Sequence, residues 1–129
     1  MARKKNKGTD LSVFKGREAK LNRAILQVLT RMSPRTIYEV HKQVIKIRGL
    51  ENARYSNVNT RLRALEKQGY IRKMGVRVIK VGFKAALYEA TARAYFALLI
   101  SSLNFDALIH ELNEIAMLTI ISEIMVRNL

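Results

Sequence analysis

The sequence of 129 residues contains no cysteine, no tryptophan and a single proline. The absence of cysteine excludes disulfides, thiolate-bound zinc, iron–sulfur clusters and thiol catalysis. The two histidines, His41 and His110, lie far apart in the sequence, which argues against a metal-ligand pair or a histidine-based triad. We therefore expect neither an enzyme nor a metal or other cofactor.

Acidic residues are scarce and unevenly distributed. The sequence has ten of them and 24 basic residues, which gives a net charge of +14. Residues 1–84 carry 22 basic and five acidic residues, a net of +17, whereas residues 85–129 carry two and five, a net of −3. Because 49% of the chain is hydrophobic, this is the composition of a folded protein rather than a disordered basic tail. It predicts a polyanionic partner, most often nucleic acid, for the first two-thirds.

The apolar run over residues 107–126 raises the question of a membrane span. It contains Glu111, Glu114 and Glu123, and a charge near the centre of a bilayer costs about 2.5–3.5 kcal/mol. The first ten residues are basic and polar, unlike a signal peptide. We expect no membrane partner and a cytoplasmic, nucleoid-associated location.

Two helices are predicted after a basic arm at residues 1–10, which we expect to be disordered until it binds. Apolar residues at helical spacing predict a first helix over 17–32. Thr36 and Glu39 have the T-x-x-E spacing of a capping box, so a second helix should begin there. Gly49 is placed to end that helix, which would turn Ile47 inward with its other apolar residues.

A third helix is predicted from an N-cap at Ser56 to Gln68, with Gly69 just after its end. The face opposite its apolar stripe has hydroxyls, amides and cations but no carboxylate: Ser56, Asn57, Asn59, Thr60, Arg63 and Lys67. A face selected only for solubility usually includes glutamate, and this composition is typical of helices that read base edges. We therefore favour a functional face over a merely solvated one.

A basic β-hairpin is predicted next, from two short strands over 70–74 and 86–90. The connecting segment alternates valines with other residues, so the hairpin should extend beyond the core. We place three cations at its tip: Arg77, Lys80 and Lys84.

The last third is predicted to be helical, with Thr91 as the N-cap of a helix from 92 to about 102. One long final helix should then begin at Asn104 or Asp106 and reach almost to Leu129. From Ile115 onward it is apolar on nearly every side, and such a helix must be surrounded. A core this small cannot surround it, so we expect a homodimer. The expected dimerisation residues are Leu112, Ile115, Leu118, Ile120, Ile121, Ile124 and Met125.

Three helices followed by a basic hairpin resemble a winged helix–turn–helix domain, and two segments are similar to PadR-type transcriptional regulators. In residues 33–40 a proline is followed four residues later by Tyr-Glu and an aliphatic residue. Residues 63–71 contain the Leu-Glu pair, glycine and aliphatic strand of the helix-to-wing junction that PadR-type and MarR-type proteins share. Tyr88 and Thr91 match the tyrosine and the helix-capping threonine after the wing.

The resemblance covers roughly residues 17–95 and departs at Ala94, where these families often have glycine, and in a longer wing. It implies a mainly α-helical fold with a small β-hairpin (α+β). A winged helix–turn–helix domain would occupy residues 11–91, and a helical dimerisation region residues 92–129. It also implies a dimeric, sequence-specific repressor that binds double-stranded DNA.

In such a protein the third helix lies in the major groove, and the wing lies on the DNA backbone or in the minor groove. The residues expected to contact base edges are Asn57, Asn59, Thr60 and Arg63. The residues expected at phosphates or in the wing are Arg54, Tyr55, Ser56, Lys67, Arg77, Lys80 and Lys84. Arg61, beside the apolar stripe, is expected to snorkel towards water.

Two alternatives stay open at this point. An architectural chromatin protein would have the same fold without sequence specificity, and composition does not separate it from a regulator. An RNA-binding module usually displays stacking aromatics, and only Tyr55, Tyr70 and Phe83 are candidates for exposed aromatics here. Nothing in the sequence indicates a small-molecule effector.

Overall fold

A computed structural model of the chain describes residues 11–128. A short 3-10 turn, Ser12–Phe14, precedes six helices and two strands. The elements are α1 Ala19–Arg31, α2 Ile37–Val44, α3 Tyr55–Lys67, β1 Ile71–Lys80, β2 Phe83–Ala90, α4 Ala92–Ser102, α5 Phe105–Glu111 and α6 Glu114–Arg127. The predicted α+β class, helices with a small antiparallel hairpin, is confirmed. The predicted basic arm at residues 1–10 lies outside the described residues.

The core forms around α1, whose apolar residues recur at helical spacing and are buried on two sides. Helices α2 and α3 pack against it, as do β2 and α4. The largest fully buried side chains are Tyr88, Ile25, Leu26, Leu29, Leu62, Leu65, Ile71, Val40, Val44 and Val58. Burial of one such aliphatic side chain stabilises the fold by about 1.5–3 kcal/mol, so this cluster fixes how the three helices are oriented.

Helix α2 begins with the predicted capping box. The Thr36 hydroxyl accepts the Glu39 N–H at 3.1 Å, and the Glu39 carboxylate accepts the Thr36 N–H at 3.0 Å. The predicted end at Gly49 is wrong, because the helix ends at Val44, and the N–H groups of Lys46 and Ile47 bond carbonyls only three residues back. Ile47 therefore packs half-buried from a turn, and Gly49, with φ +91°, belongs to the loop.

Helix α3 begins two residues earlier than predicted. Arg54 is the N-cap, in an extended conformation and without a side-chain cap bond, and its carbonyl accepts the Val58 N–H. Ser56 is thus an exposed residue of the first turn, and its predicted capping role is wrong. Because Ser56 is exposed and makes no cap bond, its hydroxyl is free to bind a partner on this face of α3.

The end of α3 has the predicted glycine, and the same residue anchors the start of α4. Gly69 has φ +90°, and its N–H donates to Glu66 while the Tyr70 N–H donates to Leu65, the two bonds of a Schellman motif. The Thr91 hydroxyl donates to the Gly69 carbonyl at 2.6 Å instead of capping α4. The predicted α4 boundaries are confirmed, whereas the predicted capping role of the Thr91 side chain is wrong.

The hairpin is longer than the two short strands predicted for it. Strands β1 and β2 pair antiparallel from Ile71 opposite Ala90 to Lys80 opposite Phe83, with register shifts on the way. A bridge between Arg35 and Tyr88, with N–H···O distances of 3.0 and 2.9 Å, ties the base of the hairpin to the segment before α2.

The C-terminal third contains three helices rather than the two predicted. Helix α4 packs on α1 through the buried Ala94 and Ala97. The single long helix expected after it is wrong: Leu112 is extended, and the Asn113 side chain accepts the Ala116 N–H to begin α6. An asparagine cap in this position starts a new helix and interrupts the old one.

Helices α4 to α6 present a continuous series of exposed apolar side chains, here called the C-terminal apolar surface. Its members are Tyr95, Phe96, Leu99, Phe105, Ile109, Ile115, Leu118, Ile120, Ile121, Ile124, Met125 and Val126. Helices α5 and α6 contain no buried residue. Within residues 11–128 no single helix meets the length and hydropathy of a membrane span, although α4 and α5, bent by 93°, meet them jointly.

The packing of α3 can be tested with two neighbouring substitutions. Leu62 is fully buried and Arg63 is exposed, so Leu62→Ala should lower the free energy of unfolding by about 2–5 kcal/mol. Arg63→Ala should change it by less than about 0.5 kcal/mol. Urea denaturation followed by circular dichroism measures both, and equal effects would contradict the assigned orientation of α3.

Candidate nucleic-acid interface

The outward face of α3 keeps most of the predicted residues in solvent. Ser56, Asn57, Thr60, Arg63 and Lys67 are exposed. Asn59 is half-buried, and its side-chain oxygen accepts a long 3.4 Å hydrogen bond from Arg63 Nε. From the sequence, Asn59 is expected on the outward face together with its neighbours. In the structure its side chain instead contacts Arg63, which lies one helical turn further along α3.

A polar network fixes the orientation of α3 about its own axis. Arg61 Nε donates to Asn22 Oδ1 at 3.0 Å, and the buried Asn22 donates from its amide to the Val13 carbonyl at 2.9 Å. Glu18 lies 3.9 Å from the same guanidinium. The expectation that Arg61 snorkels into water is wrong, since its guanidinium is fixed on the core by these partners.

Two tyrosines lie at the entrance to the interface. Tyr55, 46% exposed, contacts His41 edge-to-face at 5.9 Å between ring centroids, and His41 Nε2 bonds the Ala53 carbonyl at 2.8 Å. Tyr38 of α2 is 60% exposed and was not among the predicted exposed aromatics, whereas the predicted Tyr70 is half-buried. The signal for Tyr38 was its position: it follows the inward Ile37, and a step of about 100° turns it outward.

The hairpin cations divide into two groups. Lys80 and Lys84 are exposed near the turn, as predicted. Arg77 lies in the middle of β1, opposite Ala85, and its guanidinium donates to the Glu39 carboxylate of α2. The predicted position of Arg77 at the tip is therefore wrong. A second pair, Arg72 to Glu89 at 2.6 Å, crosses the two strands nearer the core.

A cleft of about 580 Å³ separates α3 from the hairpin. Its polar lining comes from α2 with the residue before it, from α3 and from both strands of the hairpin: Thr36, Tyr38, Glu39, Tyr55, Arg63, Arg77, Lys84 and Tyr88. The surface is thus concave and has three cations against one carboxylate, with α2 and the outward face of α3 on one side and the hairpin on the other. Among residues 11–128 no group of three or more metal-binding side chains is clustered.

Glu39 is the carboxylate of this cleft, and its surroundings favour the charged form. Burial opposes ionisation, but the Thr36 N–H, the hydrogen bond from Arg77 and the charges of Arg77 and Arg35 outweigh it. The pKa of Glu39 therefore lies below its ordinary value of 4.5. Burial raises the pKa of the Tyr88 hydroxyl, which belongs to the core.

Three packed helices, a two-stranded hairpin and a one-residue bridge to the hairpin define a winged helix–turn–helix domain. A solved structure that is similar to this chain is that of diamide-treated YodB from B. subtilis. The two superpose with a TM-score of 0.51 over 70% of this chain and 76% of that one, at 16% sequence identity, which shows a shared fold. No family model and no curated protein matches the chain.

The ion pair between Glu39 and Arg77 predicts a specific pH dependence. A carboxyl whose pKa is lowered by folding stabilises the protein above its unfolded pKa, and this contribution is lost as the pH falls through the folded pKa. Glu39→Gln keeps an oxygen that accepts the Thr36 N–H but removes the charge facing Arg77. When the pH falls from about 6 to about 3, the free energy of unfolding of the Glu39→Gln protein should decrease by roughly 0.5–1 kcal/mol less than that of the wild type.

Denaturant titrations at several pH values measure this difference. Glu111→Gln, an exposed carboxyl in the last turn of α5, is the matched control and should follow the wild type. A Glu39→Gln protein with the wild-type pH profile would contradict the assigned role of the pair.

Proposed function

We propose that this protein is a dimeric, sequence-specific regulator of transcription that binds double-stranded DNA and acts as a repressor in the nucleoid. The observation that carries the proposal is the exposed face of α3, which has amides, hydroxyls and cations without a carboxylate, beside a cationic hairpin. The segments 33–40 and 63–71 further support a regulator of the PadR type. No effector is assigned.

The base contacts are proposed for the exposed face of α3 in the major groove. Asparagine pairs with adenine, arginine with guanine O6 and N7, and threonine with several bases, so Asn57, Arg63 and Thr60 supply the readout. Asn59 accepts from Arg63 Nε, which orients the guanidinium and leaves its two terminal nitrogens for a guanine. Each good bidentate pair contributes about 1–3 kcal/mol of discrimination.

The remaining cations are proposed to position the protein on phosphates without reading sequence. Arg54 and Lys67 flank the readout residues at the two ends of α3, with Tyr55 and Ser56 in its first turn. Lys80 and Lys84 bind the backbone from the hairpin. Arg77 serves mainly to hold the hairpin against α2, since its guanidinium already has a partner in Glu39.

The dimer is proposed to form through the C-terminal apolar surface, because α5 and α6 bury no side chain within one chain. Its centre would be six of the residues predicted from the sequence, Ile115, Leu118, Ile120, Ile121, Ile124 and Met125, with the half-buried Leu112 between α5 and α6 at its edge. A two-fold dimer places two reading helices about 34–36 Å apart, on successive major grooves, and so favours a pseudo-palindromic site.

Sequence specificity is tested by selecting bound duplexes from a random pool and measuring affinity for the selected site and for random DNA. A regulator should prefer the selected site by roughly a thousandfold or more. Arg63→Ala should cost about 1–3 kcal/mol per protomer on the selected site and relax preference at one position of each half-site. Lys80→Ala should weaken selected and random DNA alike and reduce the slope of log affinity against log salt by about 1 per protomer, or about 2 for the dimer.

Arg127→Ala is the charge-matched control, since Arg127 lies on α6 outside the winged domain and should leave both affinities unchanged. Equal losses from Arg63→Ala on selected and random DNA, with no preferred site, would favour an architectural protein. Affinity for duplex DNA that does not depend on salt would contradict nucleic-acid binding altogether.

The dimer is tested by adding charge to α6. Ile121→Glu with Ile124→Glu places two carboxylates in the C-terminal apolar surface, so sedimentation should show monomers, with much weaker DNA binding. Asn52→Glu with Gln68→Glu adds the same charge at two exposed positions of the winged domain, outside the C-terminal apolar surface, and should stay dimeric. A monomeric wild type at micromolar concentration would refute the proposed dimer.

A further inference from the structure

The outer half of the hairpin carries large apolar side chains that no part of the described chain covers. Val78 and Ile79 are each 62% exposed, Phe83 60% and Val81 95%. They adjoin one another around the turn formed by Val81 and Gly82. A single exposed apolar residue is ordinary, but a contiguous group at the end of a projecting element indicates contact with another molecule.

The base of the hairpin is held, and its tip projects. The ion pair from Arg77 to Glu39 and the backbone bridge between Arg35 and Tyr88 fix the inner half on the winged domain. From Arg77 to Val81 the strand advances about 13 Å at a rise of about 3.3 Å per residue. In a duplex whose major groove holds α3, the adjacent minor groove lies half a helical turn away, about 17 Å along the axis.

The charges around the apolar tip identify a polyanionic partner. No carboxylate occurs between Glu66 and Glu89 in the sequence, whereas this segment contains six cations. Lys80 pairs with Phe83 across the turn, and its ammonium group lies 5.5 Å from the ring centroid. Lys84 follows directly on the other strand. The cations are therefore placed to bind phosphates beside the exposed apolar side chains of the turn.

We infer that Val81 and Phe83 form a wedge that enters the minor groove and partly unstacks one base step, while Lys80 and Lys84 bind the flanking phosphates. Minor-groove proteins use apolar side chains in this way, and the DNA kinks where they enter. Pyrimidine–purine steps unstack most easily, so the wedge would add a preference for such a step outside the bases that α3 reads. The inference rests on the proposed binding of duplex DNA.

The absence of tryptophan provides a direct test, because Phe83→Trp introduces a single indole at the tip. Addition of a mixed-sequence duplex at low salt should quench its emission and shield it from iodide, since an inserted indole stacks on bases. Lys20→Trp, on the exposed side of α1 and outside both proposed interfaces, is the control and should show neither change. If the Phe83→Trp protein binds the duplex without quenching of its indole emission, the wedge is overturned and the proposed function is left standing.

Substitutions without a fluorophore provide the second readout. Phe83→Ala should weaken duplex binding about tenfold, whereas Phe83→Leu, still apolar, should retain most of the affinity. The same duplex with 2-aminopurine at its TA steps should brighten on binding the wild type and not on binding Phe83→Ala. Equal brightening by both would overturn the wedge.

A third experiment measures the emission of the Phe83→Trp protein on phospholipid vesicles that contain anionic lipid. A blue-shifted and enhanced Phe83→Trp emission on vesicles, with no change on duplex DNA, would overturn the wedge and identify the hairpin as a membrane-surface element. If the wild type binds no duplex at all, the wedge and the proposed function both fail.

Discussion

The packing of α3 against α1 decides which chemistry this protein presents to solvent. Val58, Leu62 and Leu65 are fully buried, so the helix is rotated with its amides, hydroxyls and Arg63 outward. The bond from Arg61 to Asn22 adds an angular constraint that apolar contacts alone lack, because a hydrogen bond weakens steeply when its geometry is distorted. The outward face is therefore held by the core rather than by a partner.

The hairpin depends on a second constraint, the Glu39 carboxylate. It accepts the Thr36 N–H at the start of α2 and pairs with Arg77 of β1, so one side chain joins the beginning of a helix to the middle of a strand. A carboxylate in a surface meant for a polyanion opposes binding unless a cation neutralises it. The pair with Arg77 neutralises the Glu39 carboxylate, and with Arg72 paired to Glu89 the net charge of the wing comes from Lys73, Lys80 and Lys84.

Local signals in the sequence predicted much of this structure, and contacts across the chain account for what they missed. The capping box at Thr36 and the glycine end at Gly69 were predictable because their bonds close within a few residues. The early end of α2 and the cap by Asn113 depend on competition between similar local conformations, which a periodic pattern does not resolve. The partner of Arg77 lies 38 residues away, and so does not appear in any local pattern.

The division of charge along the chain bears on how a small winged domain achieves specificity. Phosphate contacts from a strongly basic surface attract every duplex equally and carry no sequence information. The three proposed readout side chains on one α3, at about 1–3 kcal/mol each, sum to about 3–9 kcal/mol, whereas specific complexes discriminate by about 4–10 kcal/mol. Two copies of α3 bound to one duplex double this discrimination. A more basic surface would instead raise only the affinity for DNA of any sequence. An apolar, weakly acidic C-terminal third serves such an arrangement, because it can join two chains without competing for phosphate.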